Sequence, residues 1–441
     1  MQASGLDTPY ASELESPTVL ITEQNSGVKL RLRQKALIWL FVGCMIAVHG
    51  LFLWRVRERI ARGDPDFTVF YTAARMLREG EGAQLYSSRA QLAAQSEFAR
   101  NADIRRGPLP YIHPPFEALL FLPLTYLPYP RAFATWNLIN LAILGGVAIL
   151  LRRSLPSLQV FPVWQMVLFS LAFFPIFANF HQGQDAILLL LVVTLSFRAF
   201  DREADFLAGC WLGAGIFKYH LILPLALILI FWRGKRFILG FASVSTAALL
   251  ISLALVGWNG ALQYPLYAWR VVSEPAFGGI PPRQLSSLYG LLTGWDFSQK
   301  FTLAMQIVVA ICSIVLLMIV SRLRSCGQSR QTSSLCVSAA TITALLVGYS
   351  TNTYDLSLLV LPLAVVANCL LANAPGARSL LWPAIPLFAT PLWFFLSTHW
   401  ERINLMALFM LWWLFALVAE VRRISQLNEV ASPELPFITN A

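Results

Sequence analysis

Two carboxylates, Asp64 and Asp66, are the residues of this 441-residue chain best suited to chemistry. They flank Pro65 just after the first long apolar run, close to where a membrane surface would lie. A carboxylate at such a place can take the proton from an attacking hydroxyl group. The polar loop that begins here runs to Pro114-Pro115, although nearly everything around it is apolar enough to sit in lipid. A loop of this kind indicates chemistry on a lipid-linked substrate.

The composition is that of a membrane protein. The chain is 57% hydrophobic and only 13% charged, with a mean hydropathy of +0.62, whereas a soluble protein carries about 25% charged residues. Its long, continuous apolar runs predict an all-α polytopic fold and exclude a membrane β-barrel, which would show short alternating strands. The net charge of +10 comes from short Arg and Lys clusters between the apolar runs, as the positive-inside rule distributes them. We therefore expect no nucleic-acid partner.

The apolar runs define the expected membrane helices, each of which needs roughly 17–25 residues. The candidate spans are 36–54, 131–151, 162–179, 185–200, 206–218, 220–232, 236–256, 300–320, 334–349, 354–372, 380–397 and 402–420. Segment 113–128 is apolar but broken by prolines, so we expect a re-entrant or half-spanning element there. The prediction is about 11 to 13 membrane helices, with amphipathic helices in the first external loop.

The basic clusters predict the orientation. The cluster from Lys29 to Lys35 precedes the first span and places the N-terminus in the cytoplasm. The later basic loops fall on the same side if 113–128 does not cross and if 206–232 forms two passes, or two half-helices, with a turn near Lys218. The expected organisation is a disordered cytoplasmic tail (1–28), a polytopic domain (29–423) whose first external loop is 55–112, and a cytoplasmic tail (424–441).

The opposite face collects polar groups that topology does not explain. They are Asp64, Asp66, His113, residues 181–185 and 218–220, the loop 257–285, Tyr354-Asp355 and His399. Their position on one side indicates an external active site. The sequence shows no internal repeat, which counts against transporter folds built from duplicated halves.

Local signals predict two helices in the first external loop. Asp64 is suited to the N-cap and Pro65 to the first turn of a helix over 65–79, with an apolar face, that lies along the membrane surface. A second helix follows Ser88 and runs to about Arg100. We expect Asp64 to act as the cap. Asp66 either favours the helix dipole or has a functional role, and we favour the functional role.

Several other polar residues each allow two interpretations. Lys218 lies in an apolar segment, so it either has a charged partner or snorkels to the interface. His113 either binds substrate or caps a re-entrant turn. Gln184 is suited to sugar hydroxyls, whereas Asp185 is expected to cap the next helix. Tyr354-Asp355 either caps span 354–372 or supplies a second active-site carboxylate.

The order of short motifs resembles glycosyltransferase family 87, membrane enzymes of the GT-C class. In the first loop the matching residues are Asp66-Phe67, Tyr71, Ala73-Ala74, Gly80 and Leu85-Tyr86. Further along they are His113-Pro114-Pro115 (usually Tyr-Pro-Pro in the family), Pro123-Leu124, Leu127-Pro128, Trp136, Gly183-Gln184, Ala208-Gly209, Lys218, Pro224, Gln284-Leu285-Ser286, Gly290-Leu291 and Tyr354-Asp355-Leu356. The resemblance covers residues 60–365, approximately.

The resemblance implies an enzyme that transfers a hexose, such as mannose, from a polyprenyl phosphate to a lipid or glycan acceptor. It assigns Asp66 as the general base of an inverting displacement. Lys218, assisted by His220, is expected to stabilise the leaving phosphate, and Arg270 and Arg283 are further phosphate candidates. The remaining residues expected to bind substrate are Tyr71, His113, Gln184, Gln284, Tyr354 and Asp355.

The expected cofactors and location follow from the same reasoning. The sequence has no Cys/His metal cluster, Walker loop or dinucleotide fingerprint, so we predict no metal, no cofactor and no nucleotide sugar; the alternative implied by the GT-C resemblance is a divalent ion held by Asp66 and another carboxylate. We expect an integral protein of the bacterial inner membrane that contacts membrane lipid and serves the cell envelope, with both termini cytoplasmic. Two alternatives are a transporter or flippase of lipid-linked sugars, and a non-catalytic envelope-assembly protein.

Overall fold

The computed structural model describes residues 32–99, 109–273, 280–295, 299–323 and 329–431, all of whose regular structure is helical. The α-helices are α1 (Leu32–Ala61), α2 (Phe67–Arg78), α3 (Ser88–Phe98), α4 (Ala118–Phe121), α5 (Tyr129–Ser154), α6 (Val163–Ala172), α7 (Phe174–Gln182), α8 (Ala186–Asp201), α9 (Asp205–Ala214), α10 (Tyr219–Arg233), α11 (Lys235–Ser273), α12 (Leu288–Thr293), α13 (Gln299–Ser321), α14 (Arg330–Val347), α15 (Val360–Leu371), α16 (Ala377–Ala384), α17 (Thr390–His399) and α18 (Met406–Ala431). The predicted tail 1–28 and residues 432–441 lie outside the described part.

The predicted all-α polytopic class is confirmed. Within the described residues, seven helical segments are long and apolar enough to cross a membrane. They are Arg33–Ala61, Tyr129–Ser154, Ile216–Arg233, Lys235–Val271, Lys300–Ser321, Thr353–Leu371 and Ala377–His399. The pair α6 and α7, bent by 79°, makes an eighth if it is one broken span. The other predicted spans are also helical, although α9, with 10 residues, is too short to cross alone.

The predicted break near Lys218 is a helical reversal. Helix α9 ends at Ala214 and α10 begins at Tyr219, with a single 3₁₀ turn between them. The far end of α10 returns to the start of α9, because Arg233 Nη1 lies 3.6 Å from Asp205 Oδ1. The two helices therefore form a hairpin whose tip carries Lys218, as the sequence predicted.

Glycines allow α9 and α11 to approach closely. A Cβ atom on Gly240 would lie 2.0 Å from the carbonyl oxygen of Phe206, and one on Gly209 would lie 2.2 Å from that of Phe237. Small residues at helix interfaces permit this backbone contact in membrane proteins. The packing holds the α9–α10 hairpin against α11 and so fixes the position of its tip.

The two helices predicted in the first loop are present, with one correction. Helix α2 begins at Phe67, with Asp66 as its N-cap residue, two positions later than predicted. Asp64 does not cap it, because its carboxylate pairs with Arg59 at 3.0 Å. Most of α2 is buried in an aromatic cluster with α3, α4 and α5, so it is a core element of this region.

Two of the predicted loop segments are partly helical. Segment 113–128 forms only short helical turns, none of them long enough to cross a membrane. The predicted loop 257–285 is wrong in its first part, because α11 continues through a kink at Gly257, where φ is +69°, to Ser273. Its second half brings Tyr264 against Tyr86, with ring centroids 4.9 Å apart.

Basic residues from separate predicted cytoplasmic loops meet at one end of the bundle. Arg330 forms an ion pair with Asp201. Arg198 is within electrostatic reach of Arg153 and Arg202. The loops that contain these residues therefore lie at the same end, which agrees with the orientation inferred from their charges.

The close packing of α9 on α11 predicts different effects for two Gly→Ala substitutions. Gly240→Ala should lower the free energy of unfolding by about 1–3 kcal/mol, because backbone must move to admit the methyl group. Gly145→Ala is the control, since a Cβ there has nothing within 4 Å. Thermal unfolding of the detergent-purified proteins measures both. Equal melting temperatures would contradict the close approach of α9 and α11.

Candidate functional site

A buried ion-pair network joins three helical segments. The Nζ atom of Lys218 lies 2.9 Å from Asp185 Oδ1 and 3.0 Å from Asp355 Oδ1. Both aspartates are fully buried, and the lysine is 2% exposed. The ring of Tyr354 faces the ammonium group at 5.0 Å. Lys218 therefore has charged partners inside the protein, and the snorkelling interpretation is wrong.

Each charged residue of this network lies at an interruption between apolar helices. Lys218 is in the turn between α9 and α10, and Asp185 directly precedes α8. Asp355 lies in the 3₁₀ turn Thr353–Leu359 that leads into α15. Polar side chains are tolerated in such an apolar fold where they satisfy one another, so the three interruptions are positioned by their mutual attraction.

The two aspartates differ from their predicted capping roles. Asp355 belongs to a capping box with Asn352, because its Oδ2 accepts a hydrogen bond from the Asn352 N–H at 2.8 Å, and its Oδ1 pairs with Lys218. Asp185 is the N-cap residue of α8, but its side chain makes no capping hydrogen bond. Its carboxylate is used to pair with Lys218 instead.

Asp66 lies beside the network and is held by two glutamines. Its Oδ2 accepts a hydrogen bond from Gln184 Nε2 at 2.8 Å, and its backbone N–H donates to Gln182 Oε1 at 3.1 Å. Gln184 directly precedes Asp185, so the candidate base and the ion-pair network share one short segment. Asp66 is half-buried, unlike the aspartates that hold Lys218.

The backbone conformation of the segment that contains Gln184 requires a glycine at position 183. Gly183 has a φ of +62°, and a Cβ atom there would lie 2.7 Å from the Cβ of Phe67. Helix α5 fixes the same segment, because Trp136 Nε1 donates to the Gly183 carbonyl at 3.0 Å and Asn140 Nδ2 donates to that of Gln184 at 3.3 Å. These contacts bring the start of α2 to the start of α8.

His113 lies close to Asp185 and contacts a buried acid. Its Nδ1 is 2.9 Å from Oε2 of Glu117, one helical turn further on. Burial lowers the pKa of His113 to about 4, and burial together with the Asp185 carboxylate raises the pKa of Glu117 well above its usual range. Tyr86 fixes the backbone here by donating to the His113 carbonyl at 2.8 Å.

His220 is also close to the network. It follows Lys218 by two residues and is within electrostatic reach of Lys218, His113 and Asp185. Its buried Nε2 atom has no hydrogen-bond partner among the described residues. The structure thus gathers seven of the ten residues predicted from sequence, which are Asp66, His113, Gln184, Lys218, His220, Tyr354 and Asp355.

Three predicted substrate-binding residues do not contact this group. Tyr71 points into the aromatic cluster, where its hydroxyl donates to the Leu127 carbonyl at 2.9 Å. Arg283 pairs with Glu401 at 3.1 Å, and the carbonyl of Gln284 accepts from Asn404. His399, which we did not assign to the site, is exposed beside Thr398. The predicted roles of Tyr71, Arg283 and Gln284 therefore gain no support from the geometry.

Sequence reasoning missed Glu117 and underestimated Asp185. Glu117 lies within the apolar, proline-broken segment, four residues after His113. An ionisable residue inside such a segment is costly and marks a functional candidate. That signal was available in the sequence, whereas the partnership of Asp185 with Lys218 joins residues of separate helices and has no local signature.

The arrangement separates two kinds of carboxylate. Asp185 and Asp355 are committed to Lys218 and have no exposed surface. Asp66 is half-buried and is oriented by an amide that donates to one of its oxygens. A carboxylate held in this way can accept a proton from a bound hydroxyl group, so Asp66 is the group best placed for acid–base chemistry.

The buried network predicts that Lys218 is important for stability. Lys218→Met should lower the free energy of unfolding by about 3–5 kcal/mol, because it leaves two buried carboxylates without their cation. Thermal unfolding in detergent measures the change. Lys235→Met, at an exposed lysine, is the control and should change stability little. If the two variants melted alike, Lys218 would not hold Asp185 and Asp355.

A family comparison shows the class of protein to which the chain belongs. The profile of glycosyltransferase family 87 matches residues 111–349, which is more than half of the chain. The match includes His113, Gln184 and Lys218, and it begins after Asp66 and ends just before Asp355. No curated protein and no solved structure matches the chain. By the extent of the profile match, the chain belongs to glycosyltransferase family 87 and is a membrane glycosyltransferase.

Proposed function

We propose that this protein transfers a hexose, mannose in the first instance, from a polyprenyl-phosphate donor to a lipid or glycan acceptor, with Asp66 as the general base. The observation that carries the proposal is the half-buried Asp66 carboxylate, fixed by Gln184 beside the buried Lys218 network. Membership of a glycosyltransferase family favours an enzyme over the alternative of a transporter. The donor class and the sugar come from the resemblance of the sequence motifs to this family.

The proposed reaction is a single displacement. The acceptor hydroxyl oxygen attacks the anomeric carbon, and the bond from that carbon to the phosphate oxygen breaks. Asp66 takes the hydroxyl proton, and the bonding electrons leave with the polyprenyl phosphate. Phosphate is a good leaving group, so the reaction needs one carboxylate as base and no strong general acid. This requirement fits a site in which Asp66 alone of the three neighbouring aspartates is partly open.

Lys218 has a different role in this proposal from the one expected from sequence. Its ammonium group is buried between two carboxylates, so it is a positioning residue and does not contact the leaving phosphate. It acts on Asp66 indirectly. Holding Asp185 in place fixes the adjacent Gln184, and Gln184 orients the Asp66 carboxylate.

The proposed sidedness places the site on the extracytoplasmic face of a bacterial inner membrane, with both termini in the cytoplasm. Support comes from the basic residues Arg153, Arg198, Arg202 and Arg330, which gather around Asp201 at one end of the bundle. Under this proposal the segments 1–28 and 424–441 are cytoplasmic, and the domain 29–423 contains the site.

The base assignment predicts unequal effects at two neighbouring aspartates. Asp66→Asn should reduce transfer by about 10²–10⁴-fold, because the amide cannot take the hydroxyl proton. Asp64→Asn is the matched control and should keep most of the activity, since Asp64 is exposed and pairs with Arg59. The assay is transfer of radiolabelled mannose from a polyprenyl-phosphate donor to extracted membrane lipids. Full activity of Asp66→Asn would refute the assignment of Asp66 as the general base. If the wild-type protein transferred no mannose from this donor, the proposed sugar or the proposed donor class would be wrong.

The sidedness predicts the labelling of two introduced cysteines at exposed positions. Glu81→Cys, in the loop that follows α2, should react with a membrane-impermeant maleimide in intact spheroplasts. Glu203→Cys, beside Asp201, should react only after the membrane is opened. Labelling of the wild-type protein, which has cysteines of its own, measures the background. Labelling of both positions from the same side would show that the predicted topology is wrong.

A further inference from the structure

Three of the side chains described above converge on one point. His113, Glu117 and Asp185 each offer a ligand atom, and these atoms lie within 4.8 Å of one another. These residues come from two separate parts of the chain: His113 and Glu117 belong to the proline-broken segment, and Asp185 precedes α8. We propose that His113, Glu117 and Asp185 form a binding site for a divalent metal cation, which the sequence did not predict.

The charge of the surroundings supports a cation. Glu117, Asp185 and Asp355 are all fully buried, and Lys218 is the ammonium group among them. If Glu117, Asp185 and Asp355 are all ionised, the one ammonium leaves two negative charges uncompensated, and because buried charges without partners are strongly unfavourable, Glu117 ionises here only with a further cation beside it. One divalent cation compensates both of these charges.

The hydrogen bonding of the carboxylates points to the same ligand. Lys218 contacts Oδ1 of Asp185, and His113 contacts Oε2 of Glu117. The Glu117 and Asp185 carboxyl groups are buried and lie within hydrogen-bond reach of each other. Two adjacent carboxyl groups cannot both ionise unless a positive charge lies between them, and a cation held by both would supply that charge.

The donor set indicates which cations fit. One imidazole nitrogen and two carboxylates suit Mn²⁺ or Zn²⁺, since imidazole favours zinc and carboxylates favour harder ions such as manganese. Second contacts hold the ligands, because Lys218 pairs with Asp185, and Tyr86 and Tyr264 donate to the carbonyls of His113 and Ile112 at 2.8 and 3.1 Å. His113 is the partly open member of the group, with 17% of its side chain exposed.

Three protein ligands leave coordination positions for another oxygen, as in catalytic metal sites. If the proposed function holds, that oxygen belongs to the donor phosphate, because Lys218 is already engaged and a cation beside Asp185 would offer positive charge to the leaving group. This extension rests on the proposed function, whereas the presence of the cation site does not.

The test measures metal binding without any sugar donor. The full-length protein, purified in detergent and treated with a chelator, is titrated with MnCl₂, and free Mn²⁺ is followed by electron paramagnetic resonance. We expect one Mn²⁺ per chain, displaced by ZnCl₂. Glu117→Gln should weaken binding at least about tenfold. Glu420→Gln is the matched control, since Glu420 is also buried but pairs with Arg423, and it should bind like wild type.

Two results would overturn the site. One is the absence of saturable Mn²⁺ and Zn²⁺ binding by the wild-type protein, and the other is unchanged binding by Glu117→Gln. If Glu117→Gln fails to fold, as judged by size-exclusion chromatography, His113→Asn replaces it with the same expected loss, and unchanged binding there refutes the proposal. A protein that binds Mn²⁺ through these residues but does not transfer mannose would keep the metal site and reject the proposed function.

Discussion

The pairing of Lys218 with Asp185 and Asp355 is the interaction on which the rest of this site depends. The lysine occupies the tip of the α9–α10 hairpin, and its partners lie at the start of α8 and in the turn before α15. A buried ion pair adds little net stability over an apolar core, but removal of one member is costly. Its principal effect here is therefore geometric, since it makes three helix interruptions meet at one point.

Close helix packing around this network positions its polar side chains within a mostly apolar membrane protein. The close packing of α9 on α11, through Gly209 and Gly240, holds the hairpin in place. Gly183 lets the chain turn tightly against Phe67, which brings Asp66 to Gln184. Apolar helices thus determine where the interruptions lie, and polar side chains at the interruptions satisfy one another instead of facing lipid.

The site contains carboxylates in three different states. Asp66 is half-buried and hydrogen-bonded to an amide, which suits a base that must exchange protons with substrate. Asp185 and Asp355 are buried and paired with Lys218. Glu117 is buried beside His113, and its pKa is raised by burial and by Asp185. Such separation of neighbouring acids by environment is how one site assigns different roles to chemically similar groups.

The sequence by itself determined the all-α membrane class, the helices of the first loop and the reversal near Lys218, because apolar run length, prolines and charged residues in apolar segments are local signals. Only the tertiary structure decided which polar residues meet. It gave Lys218 two carboxylate partners, removed Tyr71 and Arg283 from the group and added Glu117. These outcomes depend on the packing of helices distant in sequence, and side-chain pairing across helices leaves no periodic pattern that a single sequence can show.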